Sequence, residues 1–336
     1  MSRLKHKPTI KDIANRLNVT ANTVSLALRD SPLVLPETKT SVLKVAREMG
    51  YVRNLLAGSL RSGQSHTIAI LFGDVSNLKF AQRIKDLEQT LRGLNYQVLI
   101  LNTEENAEVE AQAIRTAVSH QVDGIILCPC QQDCQSLDML RRYRVPFVLL
   151  GREYPGEEID TVVWDDQKGA RLATEHLIRL GCRAIVFLNG PEFISSAVLR
   201  KTGYEEAMRN ASLTPVTLNA DAMSGGVNCS MEELRESGVP YDGLFVFSDL
   251  MALEASSWLM RRGVQVPQDV ALVGFDDILS SVSLPFDLTS IGSDRRAETE
   301  KAVELLLRRI QCPEAAPQIV RLDVHLVARE SSRHRG

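Results

Sequence analysis

The chain has 336 residues, 44% apolar and 24% charged, which is ordinary for a water-exposed globular protein with room for several buried cores. No apolar stretch approaches the roughly 20 residues that cross a bilayer, and the basic start Met1–Pro8 is followed by no apolar run of a secretory leader. Cytoplasmic residence is therefore expected. The net charge of −3 hides an uneven distribution: residues 1–63 hold 11 Lys/Arg against 4 Asp/Glu, and the remainder 28 against 38. A basic head on an acidic body points to a head that meets a polyanion.

Residues 9–50 read as three short helices. Thr9-Ile10-Lys11-Asp12 resembles a capping box with Asp in place of the usual Glu, and Ile10, Ile13, Ala14 and Leu17 follow at helical spacing. Thr20 is placed to cap a second helix with Val24, Ala27 and Leu28 inward. A third helix is expected over Glu37–Met49, stopped by Gly50. Residues 54–66 read as a hinge and linker of marginal helicity, joining a head at 1–53 to a body at 67–336.

From residue 67 apolar strands alternate with amphipathic helices. Strands are expected at Thr67–Phe72, Gln97–Asn102, Gly124–Leu127, Phe147–Leu150, Ala184–Leu188, Gly243–Phe247 and Val270–Phe275. Helices are expected at Phe80–Leu91, Glu105–Ser119, Gly169–Leu180 and Leu250–Arg262. Continuous apolar strands alternating with helices mean parallel sheets covered on both faces, and this many units exceed one sheet, so two α/β lobes are expected. Sites in such folds lie beyond the carboxyl ends of the strands. Cys128, Cys130 and Cys134 cluster, but their spacing matches no zinc site and no second cluster completes four ligands, so no metal or other cofactor is expected.

The pair Ile10–Leu28 has the form of a helix-turn-helix, in which the second helix enters the major groove. Ala21, Asn22 and Ser25 would face base edges: an Asn side chain pairs with adenine in bidentate fashion, and an Ala methyl touches thymine. Thr9, Thr23 and Lys39 suit phosphate contacts, which position without specifying. A plain helical hairpin would share much of this pattern.

Longer motifs narrow the reading. Thr9-Ile10-Lys11-Asp12-Ile13-Ala14, Val19 through Ser25 and Gly50-Tyr51 resemble the head of the LacI/GalR family of bacterial repressors. Val122–Leu127, Ala173–Ile178, Val273–Asp277 and Leu326–Ser332 resemble later family signatures in the same order. The resemblance implies a helix-turn-helix head on a two-lobed sensor domain like that of the periplasmic binding proteins. It also implies a homodimer on a near-palindromic DNA operator and a small-molecule effector, sugar-like, between the lobes. Asn54, Ala57 and Leu60 match hinge positions, Leu60 as a wedge in the minor groove. Asp74, Ser76, Arg152, Arg200, Ser248, Asp249 and Asp276 match effector-contact positions, and carboxylates with a guanidinium suit hydroxyl groups.

The sequence departs from the family at Leu26, Arg53 and Gly58; glycine in a hinge helix costs about 1 kcal/mol relative to alanine, so this hinge is expected to lean on DNA to fold. Leu26, Val52-Arg53-Asn54 and Ser62–Ser65 resemble the maltose-regulon repressor branch. The segment Asp221–Gly225 lacks an aromatic that often stacks on the effector, a role open to Trp164 or Phe193, although Trp164 equally suits packing between lobes. Lys79 stands in the first-strand loop, to attract a phosphate or to be solvated. No phosphate loop, dinucleotide fingerprint or nucleophile elbow is present, so catalysis is not expected. An exported solute-binding protein would share the lobes but not the basic head.

Overall fold

In the computed structural model the first helix, α1 (Ile10–Leu17), starts at a capping box. Thr9 Oγ1 accepts from Asp12 N at 3.3 Å, and the Asp12 carboxylate accepts from Thr9 N at 2.7 Å. The helix ends at Asn18 in the left-handed region (φ 53°). Thr20 caps α2 (Ala21–Ala27) by accepting from Thr23 N at 3.1 Å. Pro36 opens α3 (Pro36–Glu48), where a missing N–H costs nothing, and Gly50 follows its end at φ 66°. Ile13, Val24 and Val42 meet at the centre of this three-helix unit, with Ala14, Ala27, Val34, Val45 and Ala46 around them.

Residues 8–52, 64–220, 226–278 and 287–333 are described; Asn54, Ala57, Leu60 and residues 221–225 lie outside them. The chain divides into two units, 1–65 and 66–336.

The second unit holds strands β1 (Thr67–Phe72), β2 (Gln97–Asn102), β3 (Gly124–Leu127), β4 (Phe147–Leu150), β5 (Thr161–Trp164), β6 (Ile185–Asn189), β7 (Val216–Asn219), β8 (Gly243–Val246), β9 (Ala271–Val273), β10 (Ser290–Ser293), β11 (Ile319–Leu322) and β12 (Val324–Val327). Its helices are α4 (Leu78–Gly93), α5 (Ala107–Ser119), α6 (Gln135–Tyr143), α7 (Asp166–Arg179), α8 (Ser195–Asn210), α9 (Gly226–Ser237), α10 (Asp249–Met260) and α11 (Arg295–Gln311). A parallel six-stranded sheet in the order β11-β5-β4-β3-β1-β2 forms the first lobe, and a parallel sheet β7-β6-β8-β9 the second. Strand β1 shows why both faces are covered. Ile68, Ile70 and Phe72 pack under α4 and α11, while Ala69 and Leu71 pack against α5 and α6.

Among the described residues three chain crossings join the lobes. After Trp164 the chain leaves the first sheet for α7; after the β10–β12 ribbon strand Ser290–Ser293 it returns to α11; between Leu322 and Val324 it crosses again. Each crossing carries an aspartate. Asp165 and Asp294 cap α7 and α11 by accepting from Lys168 N at 3.0 Å and Ala297 N at 2.9 Å. Asp323 pairs with Lys168, and its carbonyl accepts from Ser293 Oγ at 2.7 Å, so the three strands of the hinge are tied to one another.

Candidate functional site

The head presents its expected reading face outward. Ala21 and Asn22 are exposed and Ser25 half-buried on α2, while Val24 and Ala27 turn into the core. Thr20 Oγ1 and Thr23 Oγ1 lie 2.9 Å apart, fixing the start of this helix. Thr9 Oγ1 also donates to Asp12 at 2.7 Å, so its hydroxyl is committed to the cap. Lys39 is less free than a pure phosphate ligand would be: its ammonium donates to Asp30 Oδ1 at 2.7 Å and to the Asp30 carbonyl at 3.1 Å, bracing the loop before α3.

Between the lobes lies a buried polar cluster. Gly203 sets it up, because a Cβ there would fall 2.0 Å from the Gln167 carbonyl oxygen; only glycine lets α8 press onto α7. One turn earlier on α8, Arg200 is thereby brought onto Asp166 at the start of α7, with Nε donating to Oδ1 at 2.7 Å. The Arg200 guanidinium carbon lies 3.5 Å from the centroid of Phe275 and 4.5 Å from that of Phe247, whose carbonyl also accepts from it. Asp276 follows, 3.7 Å from Arg200 and 2.6 Å from the Lys79 ammonium, which reaches over from the other lobe. Asp276 and Asp277 both sit at positive φ (107° and 49°), strain of about 1–3 kcal/mol per residue that recurs at ligand-gripping loops.

Burial pushes the Lys79 ammonium below the usual lysine range, and the neighbouring Asp276 works against that shift. Asp249, at the start of α10, is fully enclosed. Its oxygens accept from Ser290 Oγ at 2.6 Å and Ile278 N at 2.9 Å, and burial, helped by the nearby Asp276 charge, raises its carboxyl to about 8. It braces the Asp276 loop from behind.

The remaining expected residues lie in three settings. Ser248 caps α10, accepting from Met251 N at 3.3 Å. Asp74 turns its carboxylate onto Ser76, accepting from its N at 2.8 Å and its Oγ at 2.7 Å in a loop beyond β1. Arg152 is gripped by Glu105 at 2.7 and 2.9 Å and donates to the Pro129 carbonyl at 2.7 Å, so its fork is already filled. Asp277 pairs with Arg329 at 2.6 Å, and Asp269 accepts from Gln265 N at 2.7 Å as a turn residue. Trp164 sits at the first crossing, its ring 6.2 Å from Phe275 with Lys79 and Arg83 each 5.6 Å away; it packs between the lobes. Lys79 is neither solvated nor open to a phosphate, because Asp276 holds it.

Phe193, half exposed, lines a cavity of about 370 Å³ between the lobes, with Tyr154, Gln131 and Leu199. Gln131 bridges its walls: Oε1 accepts from Ser195 N at 2.9 Å, and Nε2 donates to the Glu153 carbonyl at 2.7 Å. Cys128 and Cys130 are buried and Cys134 exposed; burial raises the Cys130 thiol to about 11, leaving it protonated at neutral pH. Among the described residues no helix is long and apolar enough to cross a membrane.

Sequence reading missed the ion pair of Arg83 with Glu298, two bonds of 2.8 and 2.6 Å with both side chains buried in the first lobe. It missed Asp166 and Glu105 as well. A signal existed: Arg83 interrupts the inward stripe Phe80-Ile84-Leu87-Leu91 of α4, and Glu298 begins the inward stripe of α11. A charge on an apolar face implies an opposite charge facing it.

Comparison with known proteins places both units. Residues 9–54 match the family described as bacterial regulatory proteins, lacI family, and residues 174–332 match the periplasmic binding protein-like domain. The HTH-type transcriptional regulator GntR of Pseudomonas aeruginosa is 30% identical over 339 residues, covering 98% of this chain and 97% of that protein. The ribose operon repressor of Halalkalibacterium halodurans is 29% identical over 325 residues, 97% of each chain. A solved structure of a transcriptional regulator CelR-cellobiose complex superposes with TM-score 0.74 at 27% identity, covering 97% of this chain and all of that one.

Proposed function

Because the chain belongs to the LacI family of bacterial regulatory proteins, we propose that it is a transcriptional repressor whose grip on a DNA operator is set by an uncharged, hydroxyl-rich solute held between its lobes. The functional units are the head 1–53, the hinge 54–66 and the sensor 67–336. Two copies bind a near-palindromic site in successive major grooves, with Ala21, Asn22 and Ser25 on base edges, Thr23 at a phosphate, and Thr9 and Lys39 reaching phosphates by releasing Asp12 and Asp30. Asn54, Ala57 and Leu60 supply the minor-groove contact. The protein works in the cytoplasm and joins the nucleoid when bound, and it carries out no catalysis.

Arg200 and Asp276 are the centre of the solute site, with Asp249 and Ser248 shaping its floor and Asp74, Ser76 and Arg152 at its rim. One observation supports an uncharged solute above others: the cluster is already balanced, each cation facing an anion in the pairs Arg83–Glu298, Arg200–Asp166 and Lys79–Asp276. A phosphate or an ammonium would leave a buried charge without a partner, which costs several kcal/mol. Hydroxyl groups can accept from the guanidinium and donate to the carboxylate without bringing a further charge into the cluster. The ribose operon repressor and the CelR-cellobiose complex among its relatives are named for sugars, which supports the same class.

The solute need only bind one lobe arrangement better than the other, and a coupling of about 1–3 kcal/mol changes operator affinity about 5–150-fold. The test challenges the purified protein, bound to a fragment of its own genome, with a panel of uncharged sugars and the matching sugar phosphates. A change in operator affinity with an uncharged sugar is the expected result. Response to phosphorylated sugars alone overturns the uncharged ligand, and response to neither overturns solute control.

A further inference from the structure

Lys79 begins α4 on the first lobe, and its partner Asp276 lies on the loop after β9 on the second. The contact is close, 2.6 Å, and poorly hydrated, with the lysine side chain 20% exposed and the aspartate 3%. Withdrawing an ammonium from water is unfavourable unless a carboxylate offsets it, and here the carboxylate is within reach only while the lobes are together. If they part, water enters and the attraction collapses towards its weak aqueous value. The bond is thus conditional on closure.

Asp276 does not depend on Lys79 to hold its place. Arg200 of its own lobe stands 3.7 Å away, and the backbone is held by a 2.8 Å bond from Asp276 N to the Ile291 carbonyl. Next to it Gln82, one turn further along α4, donates to the Ile278 carbonyl at 3.3 Å, so the same helix touches the same loop twice. Lys79 therefore acts across the cleft and not as a support for the second lobe.

We propose that Lys79 and Asp276 form a latch between the lobes, and that a solute reaching Asp276 must displace the Lys79 ammonium before it can change the lobe arrangement. Lys79 then sets the threshold that a solute has to overcome, and a chain with an uncharged residue there answers to weaker ligands. That consequence rests on the proposed solute site at Asp276. The latch itself is measured without solute or DNA.

Two exposed native thiols serve the measurement, Cys134 beyond β3 on the first lobe and Cys229 on α9 of the second; Cys312→Ser removes the third exposed one. Full-length protein carrying nitroxides at Cys134 and Cys229 is mixed with excess unlabelled protein, and the spin–spin distance is read by pulsed electron resonance. The Cys312→Ser parent is expected to give one narrow distance. Lys79→Met and, from the other lobe, Asp276→Asn should each broaden it and shift it to longer values, while thermal melting shows that both variants fold. Distributions that superimpose on the parent in both variants overturn the latch. Failure of the parent protein to prefer any DNA site would sink the proposed function and leave the distance result standing.

Discussion

The head and the sensor use their charged residues in opposite ways. In the head, the core of Ile13, Val24 and Val42 is wholly apolar, and charges such as Arg16–Glu48 and Lys39–Asp30 pair at the surface. In the sensor, Arg83, Asp166, Arg200, Asp249, Asp276 and Glu298 are buried among apolar side chains. The difference teaches that the two units place their polar chemistry on opposite sides of their cores. On the proposed function the head keeps its working atoms outside, on Asn22 and its neighbours, and needs only a firm platform. The sensor keeps its charged groups inside, where each must be matched by a partner.

The largest break in this comparison comes from the sensor. Arg83→Met leaves Glu298 buried without its partner and is expected to destabilise by about 3–5 kcal/mol, read as a lower urea midpoint for the sensor transition. In the head, Ile13→Ala opens a cavity at the meeting point of three helices and should cost about 2–5 kcal/mol. The expected signature is loss of operator binding with the sensor's unfolding transition unchanged; a parallel loss of sensor stability would erase the distinction between the two units. Asn22→Ala sharpens the contrast in the other direction. It should leave both unfolding transitions in place yet relax discrimination at one base position by about 1–3 kcal/mol, measured by competition between operator variants.

The last test reads a slope. Asp249, raised to about 8, holds a proton in the folded protein that the unfolded chain releases near the ordinary aspartate value of about 4. Folded protein therefore binds more protons across that window, and its contribution to stability falls as pH rises from about 4 towards about 8. Asp249→Asn should flatten that decline in denaturation curves collected at several pH values. An unchanged slope would mean that Asp249 is ionised in the folded protein.

Much of the frame was legible because β1 to β4 of the first lobe are built on continuous apolar runs. The apolar runs Ile68–Phe72 and Val98–Leu101 mark β1 and β2, whose ends add only Thr67, Gln97 and Asn102. Helix α8 was not, since its buried side carries Ser195, Ser196, Arg200 and Gly203 and shows no clean apolar stripe. Strand β5 is four residues long and follows an acidic loop, and β11 and β12 are as short. Within the site, Arg200 and Asp276 were marked by motif, but their partners Asp166 and Lys79 depend on how the helices and lobes meet. The commitment of Arg152 to Glu105 and of Asp249 to Ser290 likewise follows from tertiary contacts that no local pattern encodes.

Purified protein mixed with sheared DNA of its own genome, at physiological salt and against excess random duplex, gives the most direct test. The retained fragments should share an inverted repeat and bind about 10³-fold or more tightly than random duplex. Retention without any shared sequence, at the affinity of random DNA, would contradict the account at its root.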